Sequence, residues 1–167
     1  SHMRALMTQG GATVLDGEST PALSARILLG GNTTRYAGVM PGLFEEYLLA
    51  VEQHIPVYIV GGFGGAAGIV SHALRNTERA PELELEYHLE KFAAFADLVE
   101  EYKKHPDVAQ PEVLYDRLKA YIGRIRKEGL AAMQNGLSDE ENEILMTAEQ
   151  GEAILSLLKK GLSTVLS

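Results

Sequence analysis

Between residues 25 and 75, short apolar runs closed by glycine pairs alternate with stretches of helical periodicity. Ala25-Arg26-Ile27-Leu28-Leu29 ends at Gly30-Gly31, the mark of a buried strand entering a tight turn. Leu43, Tyr47, Leu48 and Val51 then share one face and predict a helix over residues 43–53. Pro56-Val57-Tyr58-Ile59-Val60 repeats the strand pattern and closes at Gly61-Gly62. Residues 63–74, rich in small side chains, predict a helix that packs closely onto a sheet. Strand, loop and helix, twice in succession, is the order of parallel α/β folds. Upstream, residues 4–23 are weakly patterned, with one short candidate strand at 12–15.

After Arg75 the texture changes. Residues 82–104 predict one long amphipathic helix, with Leu85, Leu89, Phe92, Phe95, Leu98 and Val99 on its apolar stripe. His105-Pro106-Asp107 breaks it. A second long helix is predicted over 111–132, with Pro111 in the favoured first turn. Asn135-Gly136 reads as a helix stop. Ser138-Asp139-Glu140-Glu141 reads as a capping box, and 149–166 as a last amphipathic helix.

The predicted class is therefore α/β: a Rossmann-like parallel sheet flanked by helices, with a helix-rich C-terminal half. Only two strands are evident, whereas a doubly wound sheet has about five or six. The expectation is a fragment of a larger doubly wound domain, in preference to a sheet completed by a partner chain. Residues 4–79 form the strand, glycine-loop and helix core, and 80–167 the helical part of the same domain. Ser1-His2-Met3 reads as the remnant of a cleaved tag.

Charge narrows the partners. The 167 residues carry 15 Lys plus Arg against 23 Asp plus Glu, a formal net charge of -8. Such a balance repels nucleic-acid backbones and anionic lipid, so neither is an expected partner. No apolar stretch approaches the roughly 20 residues that span a bilayer. With no cysteine, thiolate metal sites, disulfides and cysteine nucleophiles are excluded, and a cytoplasmic location is expected. His54, His72, His88 and His105 lie on separate segments without metal-ligand spacing, so no metal is expected, and His72 reads as a surface or packing residue. The aromatic residues Tyr87, Phe92, Phe95, Tyr102, Tyr115 and Tyr121 fall at helical spacing and read as packing.

Chemistry concentrates in the glycine loops. Gly30-Gly31-Asn32-Thr33-Thr34-Arg35 and Gly61-Gly62-Phe63-Gly64-Gly65 each follow a strand, where open α/β sheets place their ligands. Glycine lets a phosphate or ribose approach the backbone, a helix start favours its negative charge, and Arg35 offers a guanidinium. The bland alternative is that these glycines only make tight turns. Met40-Pro41-Gly42 sets a turn between the loops, with Glu45 and Glu46 in the first helical turn behind it. A carboxylate there suits ribose hydroxyls or acid–base work at a glycosidic bond, and equally an ordinary helix start. Neither loop is a Walker loop, since no Gly-Lys-Ser/Thr follows.

Taken together, Ala25-Arg26-Ile27-Leu28-Leu29-Gly30-Gly31, Met40-Pro41-Gly42 with Glu45-Glu46, and Pro56-Val57-Tyr58-Ile59-Val60-Gly61-Gly62-Phe63-Gly64-Gly65 resemble the SLOG superfamily of DprA-like and LOG-like Rossmann folds. The order is most similar to prokaryotic SLOG domains found beside TIR effectors in defence systems. The likeness is dense over 25–74 and returns at Asn135-Gly136-Leu137-Ser138-Asp139-Glu140-Glu141-Asn142. It implies a sensing domain for a nucleotide or NAD-derived, ADP-ribose-like ligand, with no prosthetic group, regulating an attached effector. The enzymatic LOG branch, which hydrolyses nucleoside monophosphates, carries Pro-Gly-Gly-x-Gly-Thr-x-x-Glu. Here Pro41-Gly42 runs into Leu43-Phe44-Glu45-Glu46 without the further glycines or threonine, which weakens the hydrolase reading. Glu45 and Glu46 are the nearest counterparts of its functional glutamate. A third reading is a non-binding module whose long helices form a homo-oligomer.

Overall fold

The computed structural model describes residues 4, 8–10, 23–78, 80–105 and 107–167. The candidate strand at 12–15 and the segment Ser1-His2-Met3 lie outside them. Strand β1 (Arg26–Leu29) leads to helix α1 (Gly42–Glu52), and strand β2 (Val57–Val60) to helix α2 (Gly65–Arg75). Five further helices follow: α3 (Leu85–Lys91), α4 (Ala93–Lys103), α5 (Pro111–Glu128), α6 (Asp139–Thr147) and α7 (Gly151–Val165). Short 3-10 turns at Pro81–Leu83 and Leu130–Met133 precede α3 and α6.

The two strands pair in parallel, with Ile27 opposite Tyr58 and Leu29 opposite Val60. Among the described residues they form a two-stranded sheet flanked by the seven helices, a Rossmann-like arrangement. Strand side chains alternate between faces. Val57 and Ile59 enter the main core with Leu28, Phe44, Tyr47, Val70 and Leu118. Tyr58 and Val60 face the other way, into a smaller core with Leu137, Leu145 and Ile154 from the last helices. β2 is therefore buried on both faces, as a parallel strand should be. β1 is not: Ile27 and Leu29, on the Tyr58 side, stay 47% and 55% exposed.

The helix predicted over 82–104 is divided. Phe92 adopts extended geometry (φ -129°, ψ 99°) between α3 and α4, although neither proline nor glycine is near. The break lets Tyr36, His88, Phe92 and Phe95 meet as one aromatic cluster, with ring centroids 5.6–6.5 Å from that of Tyr36. Tertiary packing overrides local helix preference here. The predicted 111–132 helix also stops early, because Gly129 (φ 97°) caps α5 at Glu128. Pro111 does occupy the first turn of α5, and Ser138 and Glu141 form the capping box of α6.

Asn135 does more than stop a helix. It is fully buried, donates to Val57 O (2.7 Å) and to Asn142 Oδ1 (2.8 Å), and accepts the Leu137 amide (3.1 Å). Tyr58 donates to its carbonyl at 2.8 Å. This polar knot, satisfied on every side, fastens the α6 segment to the middle of β2.

Candidate functional site

Because Leu29 lies opposite Val60, both glycine segments leave the sheet at its C-terminal edge. They are joined there by main chain. The amides of Ala66 and Ala67 donate to the carbonyls of Gly31 (3.0 Å) and Gly30 (2.8 Å). The first loop thus satisfies two donors at the start of α2, donors that a helix leaves without an internal partner. The Gly64 amide turns inward to Gly61 O at 2.9 Å. Those of Gly62, Phe63 and Gly65 meet no protein acceptor among the described residues. They lie at the positive end of the α2 dipole, where anions are stabilised.

An open groove of about 580 Å³ runs along this edge. Its floor is glycine: Gly61, Gly62, Gly64 and Gly65, then Gly68 one turn into α2. Thr33 borders it from the first loop, Ile69 and His72 from α2, and Ala80, Pro81 and Glu82 from the opposite wall. Glycine is required by geometry at Gly65, where φ is +64° and an added Cβ would sit 2.6 Å from Gly31 O. Beneath the floor there is no slack either. A Cβ on Gly61 would lie 2.5 Å from Met146 O, and one on Gly62 would collide with Ala148 O.

The sequence-predicted residues divide accordingly. Thr33, Gly61, Gly62, Gly64 and Gly65 line the groove, and Gly30 and Gly31 brace it through their carbonyls. Asn32 and Thr34 are exposed outside its lining, and Phe63 on the second loop is 56% exposed to solvent. Arg35 borders a different cleft, against Tyr36 and Phe92. Met40 and Pro41 are buried before α1, and Gly42 packs under the Arg4 guanidinium.

Glu45 and Glu46 are also elsewhere. Arg4 Nη1 reaches Glu45 Oε2 at 2.5 Å, and Arg26 Nη1 reaches Glu46 Oε2 at 2.8 Å. Glu45 borders a separate cavity of about 290 Å³ with Met40, Leu48 and Tyr102. His72 and Glu82 are the groove residues that sequence reasoning passed over. The available signal was spacing: Gly65, Gly68, Ile69 and His72 recur at helical period, so a ligand at Gly65 faces the whole stripe.

The groove has a mixed electrostatic character. Among the described residues, His72 and Glu82 are its titratable side chains, and neither lysine nor arginine lines it. Attraction for an anion must therefore come from main-chain amides and the helix dipole. The Glu82 wall is held from behind by His88, which is fully buried. His88 Nε2 lies 2.8 Å from Glu82 O, and Nδ1 lies 2.7 Å from the Tyr36 hydroxyl. A carbonyl only accepts, so Nε2 carries the proton and the Tyr36 hydroxyl donates to Nδ1. Burial lowers the His88 pKa and keeps the ring neutral, outweighing the Glu82 contacts that favour the charged form. Burial also pushes Tyr36 up to about 12.

Among the described residues no helix is long and apolar enough to cross a membrane, and no His, Asp and Glu group is placed to hold a metal ion. Neither the curated proteins nor the solved structures include a match to this chain. A family model described as SLOG cluster2 does match, over residues 11–145, and so covers both glycine segments, the groove wall and the Asn135 knot. Together with the parallel sheet it makes this a nucleotide-related, Rossmann-like domain. The chain belongs to the SLOG cluster2 family.

Proposed function

We propose that this domain senses a nucleotide or NAD-derived, ADP-ribose-like ligand in the glycine groove and passes its occupancy to an attached effector. The observation that carries the reading is that Gly62 and Gly65, which line the open groove, have amides that meet no protein acceptor among the described residues. Hydrogen bonds from such amides to a charged oxygen contribute about 1.5–3 kcal/mol each, and no side-chain cation is needed. Thr33 and Glu82, which border the groove, offer a donor and an acceptor suited to the hydroxyl groups of a ribose. An effector of the TIR type and a role in defence follow from the likeness described above, and belong to the same proposal. The arginine-paired Glu45 and Glu46, outside the groove lining, favour sensing over hydrolysis.

Calorimetric titration with ADP-ribose and with AMP tests this, alongside chromatography for released base. Saturable heat without free base is the expected result. A flat titration of both nucleotides at millimolar concentration overturns the reading. Base release that disappears in Glu45→Gln or Glu46→Gln replaces it with the hydrolase.

A further inference from the structure

We propose that the cleft at Arg35 is a second, independent binding site, for a flat apolar molecule bearing one carboxylate. Three irregular features converge there. Arg35 has φ +54°, a left-handed conformation that costs a non-glycine residue about 1–2 kcal/mol. Phe92 interrupts a helix that its sequence would continue. Between them opens a cleft of about 250 Å³, walled by Tyr36, Phe92, Phe95 and Leu98, with Ala94 on its exposed rim. Strained backbone of this kind gathers at ligand clamps.

The chemistry of the cleft defines the occupant. Its walls are aromatic and aliphatic, and the Tyr36 ring stands edge-on to Phe92 and Phe95 at 6.5 and 6.1 Å, so a flat ring finds both faces and edges to pack on. The Tyr36 hydroxyl is turned away to His88, which leaves the ring itself as wall. Arg35 is exposed and makes no ion pair or hydrogen bond among the described residues, in a chain that has an excess of acids. A planar guanidinium pairs with a carboxylate through two parallel hydrogen bonds. Among the described residues it is the one cation bordering the cleft, so it balances a single negative charge and not a phosphate monoester's two.

The experiment titrates the full chain with naphthalene-2-carboxylate and with its neutral counterpart 2-naphthylmethanol, following amide shifts by NMR and heat by calorimetry. The acid is expected to bind about three- to tenfold more tightly than the alcohol, with shifts centred on Arg35, Phe92 and Leu98. Arg35→Asn tolerates the left-handed backbone and removes the cation; it brings the acid down to the alcohol's affinity and leaves the alcohol unchanged. Ala94→Glu, on the exposed rim, abolishes the preference by repulsion. Equal affinity for acid and alcohol, no binding of either, or a preference untouched by both substitutions overturns the proposal. So do shifts that map to the Gly61–Gly65 floor.

Discussion

The two glycine loops look alike in sequence and serve opposite ends of one hydrogen-bond system. The first, at Gly30-Gly31, turns its carbonyls onto α2 and consumes the Ala66 and Ala67 amides. The second, at Gly61–Gly65, keeps three amides without a protein acceptor among the described residues and lines most of the groove floor. A strand followed by glycines therefore marks where main chain comes close to something, not what that something is. In one loop the neighbour is another loop; in the other it is open space.

Substitutions break this comparison most sharply. Gly65→Ala forces a Cβ against the Gly31 and Gly30 carbonyls at 2.6–2.8 Å on top of a positive φ, so the loops must part. A loss of about 3 kcal/mol or more is expected in urea denaturation. Gly30→Ala meets nothing within 4 Å and carries only the backbone strain of φ +61°, about 1 kcal/mol. Equal losses at the two positions would remove the distinction between them.

Ligand affinity gives the next largest effect. His72→Glu places an acid on the groove's exposed rim and is expected to weaken ADP-ribose binding about tenfold at low salt, less at high salt. Thr34→Glu, exposed on the first loop but outside the lining, is expected to change it less than about twofold. Similar effects from both would move the binding site off the second loop.

The smallest effect concerns the facing wall. His88 has a folded pKa below its ordinary 6.5 because it is buried. As pH falls below about 6.5 the unfolded chain takes up a proton that the folded chain resists, so stability declines until the folded His88 also protonates. Urea midpoints between pH 8 and pH 5 should show this decline. A His88→Asn variant, though less stable throughout, should lose the part of the slope that His88 contributes. An unchanged slope would mean that other groups govern it.

How far could the sequence be read? β1, β2, α1, α2 and the α6 capping box were legible because periodicity and caps are local signals. The convergence of the loops followed from parallel topology alone. The break at Phe92 was not legible, since the apolar stripe runs through it without a breaker and the ring it packs against there, Tyr36, lies more than 50 residues upstream. The pairing of Glu45 with Arg4 and of Glu46 with Arg26 was equally hidden, because those partners lie 41 and 20 residues away. Asn135 showed only its turn preference; its buried bonds to Val57 and Asn142 depend on β2 passing beside it.

The tight fit beneath Gly61 and Gly62 has a mechanical consequence. With Met146 O and Ala148 O close enough to exclude even a methyl group, the floor cannot sink when something settles on it. It behaves as a rigid anvil whose shape is set before any guest arrives, so little ordering entropy is spent there on capture. The segment that sets this limit is the end of α6, which the floor rests on directly.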